Sequence, residues 1–267
     1  MKLKKLLGLT LVGVIGASLF VGCSKSSKEE DKTIKVGASP APHTEILEVV
    51  KPLLKEKGYN LEVVEFDDYV LPNTSLSEGE LDANYFQHVP YLEKMNKEKD
   101  LKLTYTAKVH IEPMGIYSKK HNKLDNIKNG TKISVPNDAT NEARALQLLA
   151  DNGIIEVADK ELITAKDITK NPKNVKIVET EAAQVPSTLE DVDFAVINTN
   201  FALNVNLNPT KDALAIESND SPYANILACR EDNKDSEKIK VLTKALTSDE
   251  VKSFINEKYK GSIVPTF

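Results

Sequence analysis

The chain has 267 residues, with 35 lysines and arginines against 40 aspartates and glutamates, for a net charge of −5. That length is long for one hydrophobic core and comfortable for two lobes. The acidic balance argues against a nucleic-acid partner.

The N-terminus opens with Lys2, Lys4 and Lys5, followed by an uncharged stretch from Leu6 to Gly22 and then Cys23. A membrane-spanning helix needs about 20 apolar residues. This run is shorter, and its charged start fits a secretory signal. Leu19-Phe20-Val21-Gly22-Cys23 resembles the lipobox of bacterial lipoproteins, with Phe20 where leucine usually stands. The resemblance implies a signal peptide over residues 1–22 and a lipid on Cys23. The alternative is a plain signal peptide with an incidental cysteine. Ser24 to Lys32 has no apolar residue and cannot bury anything, so residues 23–32 read as a flexible tether. Lipidation of Cys23 leaves Cys229 without a disulfide partner. Cys229 ends the apolar run Ile226-Leu227-Ala228-Cys229, which reads as a buried strand with the thiol as inert packing.

From Thr33 the pattern alternates strand and helix. Thr33 to Gly37 is a strand. Ile46, Leu47, Val49, Val50, Leu53 and Leu54 then recur at helical spacing. Pro52 falls inside that run and predicts a kink, and Gly58 ends it. Leu61–Phe66 and Leu81–Phe86 read as strands and Val89–Met95 as a short helix. Leu101–Ala107 and Met114–Ser118 alternate with period two. A second series follows Lys119-Lys120-His121-Asn122: a strand at Lys132–Val135, then a helix from Asn137–Thr140 to Gly153. Strands follow at Val175–Val178, Phe194–Ile197 and Ala213–Glu217. Ser236–Leu246 and Ser248–Tyr259 are helices. This alternation predicts an α/β fold with helices on both faces of each sheet. Two series suggest two lobes, residues 33–119 plus 225–267 and residues 120–224, with crossovers near Lys119 and Tyr223.

Enzyme signatures are missing. There is no P-loop, no glycine-rich dinucleotide turn, no His-Glu-x-x-His and no Gly-x-Ser-x-Gly. His43, His88, His110 and His121 include no local metal-binding pair. His121, in a lysine-rich loop, reads as solvated. A receptor that gathers distant histidines in space stays open as an alternative. His110-Ile111-Glu112 echoes the deaminase His-x-Glu, but no Pro-Cys-x-x-Cys accompanies it. No catalytic residue, cofactor or metal is expected.

Only two of the cations are arginines, Arg144 and Arg230. In a lysine-biased chain, arginine stands out where a planar five-donor fork is needed. Arg144 lies in the first turns of a helix, where it suits a bidentate grip on a carboxylate; spacing alone equally allows a helix salt bridge to Glu142 or Asp138. Tyr69, Phe86, His88 and Tyr91 crowd two strand-to-helix junctions, the places where open α/β sheets bind ligands. Core packing is the plainer role for any one of them. Phe194 to Ile197 runs straight into Asn198 and Asn200. Asn198 suits a helix cap. Asn200 has no such task, and its amide offers a donor and an acceptor. Ser221-Pro222-Tyr223-Ala224-Asn225 marks the second crossover.

Several runs together resemble the methionine-binding lipoproteins of the NlpA type. They are Ser39-Pro-Ala-Pro-His-Thr-Glu-Ile-Leu, Asp68-Tyr-Val-Leu-Pro-Asn, Gly79-Glu-Leu-Asp-Ala-Asn-Tyr-Phe-Gln-His-Val-Pro-Tyr-Leu, Asn141-Glu-Ala-Arg-Ala-Leu and Ala195-Val-Ile-Asn-Thr-Asn. The resemblance implies a two-lobed periplasmic-binding fold, type II-like, with the ligand in the cleft between the lobes. It also implies a receptor for a methionine ABC importer, with a permease and its ATPase as partners, acting as a monomer. The receptor would be lipid-anchored on the extracytoplasmic face of the cell membrane. By the same resemblance Arg144 holds the ligand carboxylate, and Asn141 is a polar neighbour on its helix. Asn200 and Asn225 bond the amino-acid backbone, with their carbonyl oxygens expected to accept from the ammonium. Tyr69, Phe86, His88 and Tyr91 surround the side chain. L-methionine is the expected ligand; D-methionine, a methionine-containing dipeptide or another apolar amino acid are alternatives. An extracytoplasmic enzyme or a surface adhesin on the same fold are the rival classes.

Overall fold

The computed structural model describes residues 32–218 and 221–267. The signal peptide, Cys23 and the rest of the expected tether up to residue 31 lie outside the described residues. Lys32, the last tether position, belongs to the folded body: its carbonyl accepts from the N–H of Asn60 at 3.0 Å.

The chain opens with β1 (Thr33–Ala38), a turn over 40–44, α1 (Glu45–Glu56), β2 (Asn60–Glu65), α2 (Leu71–Ser77), β3 (Ala83–His88), α3 (Val89–Lys99) and β4 (Leu103–Ile111). It continues through β5 (Gly115–Tyr117), β6 (Lys132–Pro136), α4 (Ala139–Asp151), a small ribbon of β7 (Glu156–Val157) and β8 (Ile168–Lys170), and β9 (Lys176–Thr180). Next come β10 (Phe194–Ile197), α5 (Thr199–Asn204), α6 (Pro209–Asp212) and β11 (Ala215–Ile216). β12 (Ala224–Arg230), α7 (Glu237–Leu246), α8 (Asp249–Tyr259) and β13 (Val264–Pro265) complete it.

Two main sheets result. The first has the order β13-β4-β12-β3-β1-β2 and the second β11-β5-β10-β6-β9. β1, β2 and β3 run parallel, as do β6, β9 and β10, while β12 and β5 are antiparallel insertions. Each sheet has its own core. Ile34, Val36, Ile46, Leu47, Val50 and Tyr85 anchor the first, where α1, α7 and α8 cover one face. Ile133, Val135, Leu146, Leu149, Phe194 and Val196 anchor the second. Among the described residues no helix is long and apolar enough to cross a membrane.

The local chemistry matches the elements. Ser236 and Ser248 cap α7 and α8 by accepting from Ile239 N (3.3 Å) and Val251 N (3.4 Å). Asp138 caps α4 through Asn141 N at 3.0 Å. α1 runs unbroken past Pro52, where the sequence predicts a kink. Pro52 and Glu48, one turn earlier, are both exposed, so water can take the carbonyl that the proline cannot bond.

The chain passes between the sheets twice, over residues 112–114 and between β11 and β12, where Glu217 follows β11 and Tyr223 precedes β12. The first passage comes ahead of the Lys119 boundary read from the sequence, because β5 already pairs with β10 and β11. Lys119 and Lys120 are exposed just after β5. Their charge marks a surface turn, whereas the crossover itself is buried. The two passages are bonded to each other: Glu217 N donates to Met114 O at 2.9 Å, and Met114 N to Glu217 Oε2 at 2.9 Å.

Gly37 in β1 has no room for a side chain. A Cβ there would lie 2.7 Å from Leu81 Cδ1 and 3.0 Å from the Phe66 ring. Gly37→Val is expected to cost about 1–3 kcal/mol by overpacking. Leu146→Ala, in the second core, is expected to cost about 2–5 kcal/mol. Urea unfolding followed by circular dichroism measures both; an unchanged midpoint for Gly37→Val would mean that this contact is soft.

Candidate functional site

A small cavity lies where the carboxyl ends of the two parallel strand sets face each other. β3 leads into it through Phe86, Gln87 and His88, and β12 enters at Asn225. From the second sheet, α4 follows β6 and brings Asn141 and Arg144, while β10 leads to Asn198, Thr199 and Asn200. The structure gathers all eight ligand-site candidates on this wall: Tyr69, Phe86, His88, Tyr91, Asn141, Arg144, Asn200 and Asn225. Gln87, Glu112 and Thr199 also line it and were missed from the sequence; so does Asn198, which stands at the N-cap of α5 as read but makes no capping bond with its side chain.

Arg144 is 4% exposed. It bonds neither Glu142 nor Asp138. Its Nε donates to Glu217 Oε1 at 2.6 Å, its Nη2 to Glu217 Oε2, and Nη2 again to the Glu112 carbonyl at 2.6 Å. The guanidinium also lies 4.6 Å from the ring centre of Tyr223. One edge of the fork is therefore held by both crossovers, while no described hydrogen bond uses Nη1. Burial works against the charge, but Glu217 outweighs it and holds the arginine pKa above its ordinary value. Arg230, the other arginine, serves structure: its Nη1 donates to Leu76 O (3.0 Å) and Leu81 O (2.7 Å) at the end of β12.

The apolar wall is a group of rings. Tyr69 sits 5.8 Å from Phe86, 5.9 Å from Tyr91 and 4.9 Å from Phe201. Tyr91 donates its hydroxyl to Tyr69 O at 2.9 Å, so its polar end is satisfied and its ring is free to pack. A bulge helps to build this wall. Gln87 and Tyr85 pair with successive residues of β12, which leaves Phe86 as the extra residue. The alternation resets there. Asn84 and Gln87 then meet on one side, with Gln87 Nε2 donating to Asn84 Oδ1 (2.9 Å) and Asn73 Oδ1 (2.6 Å).

The amide groups around the cavity are mostly committed. His88 Nδ1 accepts from Tyr91 N (3.2 Å) and caps α3. Burial, helped by Arg144, lowers the His88 pKa to about 3; the ring is neutral and Nε2 carries its proton. That N–H faces Asn141 Oδ1 at 3.4 Å, which also accepts from Asn198 Nδ2 at 2.9 Å. Tyr69 donates its hydroxyl to Asn200 Oδ1 at 2.6 Å, and Asn225 Oδ1 lies 3.1 Å from His43 Nε2. The carbonyl oxygens of Asn200 and Asn225, expected to receive an ammonium, are therefore already engaged. Each asparagine has its NH₂ left over instead. Asn200 Nδ2 and Asn198 Oδ1 are buried without a hydrogen-bond partner.

Glu112 is the acidic group of the site, 5% exposed. Its Oε1 lies 2.7 Å from His110 Nε2 and 3.2 Å from His43 Nε2. Burial pushes its pKa up; His43, Arg144 and the backbone N–H of Asn200 pull the other way. Burial lowers His43 to about 4 and His110 to about 3, so both rings are neutral; His110 presents Nε2–H to the carboxylate and His43 presents its own to Asn225 Oδ1. Tyr85 then donates its hydroxyl to His110 Nδ1. His43, His110 and Glu112 form the one group among the described residues with the donor types and spacing to hold a metal. Within it, Glu112 Oε1 is hydrogen-bonded to His110 Nε2, while His43 Nε2 is hydrogen-bonded to Asn225 Oδ1. His121 stands apart; it stacks on Phe194 with centroids 5.0 Å apart and lies 3.6 Å from Asp193 Oδ1, rather than being solvated.

Comparison with known proteins agrees with this architecture. The D-methionine-binding lipoprotein MetQ of Salmonella typhi is 44% identical over 94% of this chain and 94% of its own length. A nutrient-binding protein from Burkholderia cenocepacia, solved bound to methionine, superposes with a TM-score of 0.86. It is 48% identical and covers 88% of this chain and 100% of that one. An ABC-transporter periplasmic substrate-binding protein from Coxiella burnetii gives 0.84 at 42% identity, over 87% and 100% of the two chains. The profile of the NlpA lipoprotein family matches residues 34–267. With nearly the whole described body matched, two α/β sheets enclosing one cavity and relatives similar over nearly their full length, this chain belongs to the NlpA lipoprotein family.

Proposed function

We propose that this chain is the methionine-capturing component of an ABC importer, with L-methionine as its ligand. It delivers the ligand to a permease and its ATPase, works as a monomer, and is held at the extracytoplasmic face of the cell membrane by a lipid on Cys23. The observation that carries this reading is a buried guanidinium at the edge of a small, ring-walled cavity. A free amino acid is a zwitterion, costly to bury unless both of its charges are paired.

The side chains around the cavity match those two charges. Arg144 has Nη1 left for a carboxylate, and the NH₂ groups of Asn200 and Asn225 are further donors. Glu112 is the partner for the ammonium, with the orphan Asn198 Oδ1 as a second acceptor. Glu217 already neutralises Arg144, so an ionised Glu112 leaves the site with a surplus negative charge. That surplus favours a zwitterion over a simple carboxylic acid. Tyr69, Phe86 and Tyr91 offer ring faces and edges to a thioether, each sulfur–aromatic contact contributing about 0.3–1.5 kcal/mol. Burial of the methionine side chain adds about 1.5–3 kcal/mol. After the entropy losses of association, roughly −8 to −12 kcal/mol remains, a micromolar to nanomolar Kd.

The two sheets are read as two lobes that close on the ligand about the crossover at 112–114 and the one that begins at Glu217. Tyr69–Asn200 and His88–Asn141 bond one side to the other. Binding then favours the shut form, which the permease reads.

Calorimetry on ligand-stripped protein with L- and D-methionine tests the reading, and native mass spectrometry of purified protein checks for methionine's mass. Heat and mass changes absent for both enantiomers would defeat it. Arg144→Ala is expected to weaken methionine by about 2–5 kcal/mol, roughly 30-fold or more; wild-type affinity in that variant would remove the carboxylate assignment. Glu112→Gln is expected to weaken methionine at least about tenfold. It should leave the binding of 4-methylthiobutanoate, which lacks the ammonium, undiminished or make it tighter, because the surplus negative charge is gone. Equal losses for both ligands would detach Glu112 from the ammonium.

A further inference from the structure

His43 does not line the cavity, yet it touches two residues that do. It sits in the turn after β1, 1% exposed, edge-on to Tyr85 at 4.7 Å and tilted against His110 at 5.2 Å. Its Nε2 lies 3.1 Å from Asn225 Oδ1 and 3.2 Å from Glu112 Oε1. Two oxygens around one ring nitrogen require that nitrogen to be the donor. The Asn225 atom facing it is therefore the carbonyl oxygen. Nδ1 then carries the lone pair, and it is buried without a partner. The opposite tautomer would aim a lone pair at both oxygens and bury an N–H with no acceptor, which is worse on both counts.

We propose that His43 is a positioning residue for ligand capture: from behind the cavity wall, its one Nε2–H sets which way the Asn225 amide faces, and its ring edge backs the Glu112 carboxylate that receives the ligand's ammonium. The inference rests on the assignment of Glu112 made under the proposed function. Its support is the chain of contacts Tyr85–His110–Glu112–His43–Asn225, which joins β3, β4, the first crossover, the turn after β1 and β12. Removal of His43 frees the Asn225 amide to rotate and takes a polar ring edge away from a buried carboxylate.

The direction of the pH effect follows. Glu112 is faced by His43, by His110 of β4, by Arg144 of α4 and by Tyr69, Tyr85 and Tyr259; the N–H of Asn200 approaches it from α5. Burial raises all three tyrosine pKa values, so these groups stay neutral. Burial raises Glu112, and the Nε2–H edge of the neutral His43 ring, 3.2 Å from Glu112 Oε1, is a dipole that opposes that rise. Capture needs the ionised carboxylate, so affinity falls as pH drops through the Glu112 pKa. Without His43 that pKa rises, and the fall begins at a higher pH.

The test is the methionine Kd of parent, His43→Gln and His43→Leu between about pH 5 and 8. His43→Leu is expected to bind about tenfold more weakly at neutral pH, with its decline displaced to higher pH. Glutamine places an amide N–H near the Nε2 position, so His43→Gln should stay within about threefold of the parent and keep its profile. A uniform loss in His43→Leu with the parent's pH profile would reduce His43 to packing and overturn the proposal. A glutamine variant no better than leucine would do the same, as would stoichiometric zinc binding by the parent that His43→Gln abolishes. A parent that does not bind methionine would sink the ligand assignment instead. The chain of contacts is then tested by carbon-13 NMR titration of the Glu112 carboxyl in the unliganded protein. An upward shift of its midpoint in His43→Leu supports the proposal, and an unmoved midpoint overturns it.

Discussion

A guanidinium placed out of reach of bulk water has to be neutralised where it stands. Arg144 meets that demand with Glu217, and Glu217 in turn accepts from the N–H of Met114. The same guanidinium donates to the Glu112 carbonyl. One cation thus pins together the two strands by which the chain passes between its sheets, and it does so at the edge of the cavity. A lysine has no planar fork with which to hold both Glu217 oxygens and a carbonyl at once. The position of the cavity follows: the crossovers converge where the cation is, and the carboxyl ends of both parallel strand sets converge on the crossovers.

The second constraint is the donor and acceptor count. In a closed interior a hydrogen-bonding atom is either engaged or costly. Tyr69 takes Asn200 Oδ1, His43 takes Asn225 Oδ1, and His88 shares Asn141 Oδ1 with Asn198. What these bonds leave over is a set of NH₂ groups near Arg144 and an acidic group at Glu112. The polarity of the cavity is decided by residues behind its wall as much as by those on it.

Much of this was legible in the sequence. Phe194–Ile197 reads as a buried strand and is one. The Ser236 and Ser248 helices begin at their caps. Arg144 stood out because lysine is the default cation here, so its rarity signalled geometry. The aromatic residues at strand ends carried a similar signal. Glu112 did not stand out, being one carboxylate among forty acidic residues, and the His-x-Glu around it pointed to an enzyme motif. Its partners His43 and Tyr85 lie far away in the chain, and no local pattern encodes such a meeting. The bulge at Phe86, the first crossover and the direction of the asparagine amides were equally hidden. Each depends on pairing with a remote strand or ring. No range for α2 was legible, though Tyr69 reads as part of a strand-to-helix junction; with seven residues the helix is too short to show a helical period of its own.

The two orphan atoms, Asn198 Oδ1 and Asn200 Nδ2, carry a consequence for timing. Shutting the cleft with nothing to satisfy them costs about 1–3 kcal/mol for each. A zwitterion brings an N–H donor and a carboxylate acceptor of its own and removes both charges against closure. Their combined cost is enough to make vacant closure a minor species while leaving loaded closure unhindered. On the proposed reading, a pair of amide atoms works in this way as an inspection gate, and the importer's pore is offered a shut receptor chiefly when it has cargo aboard.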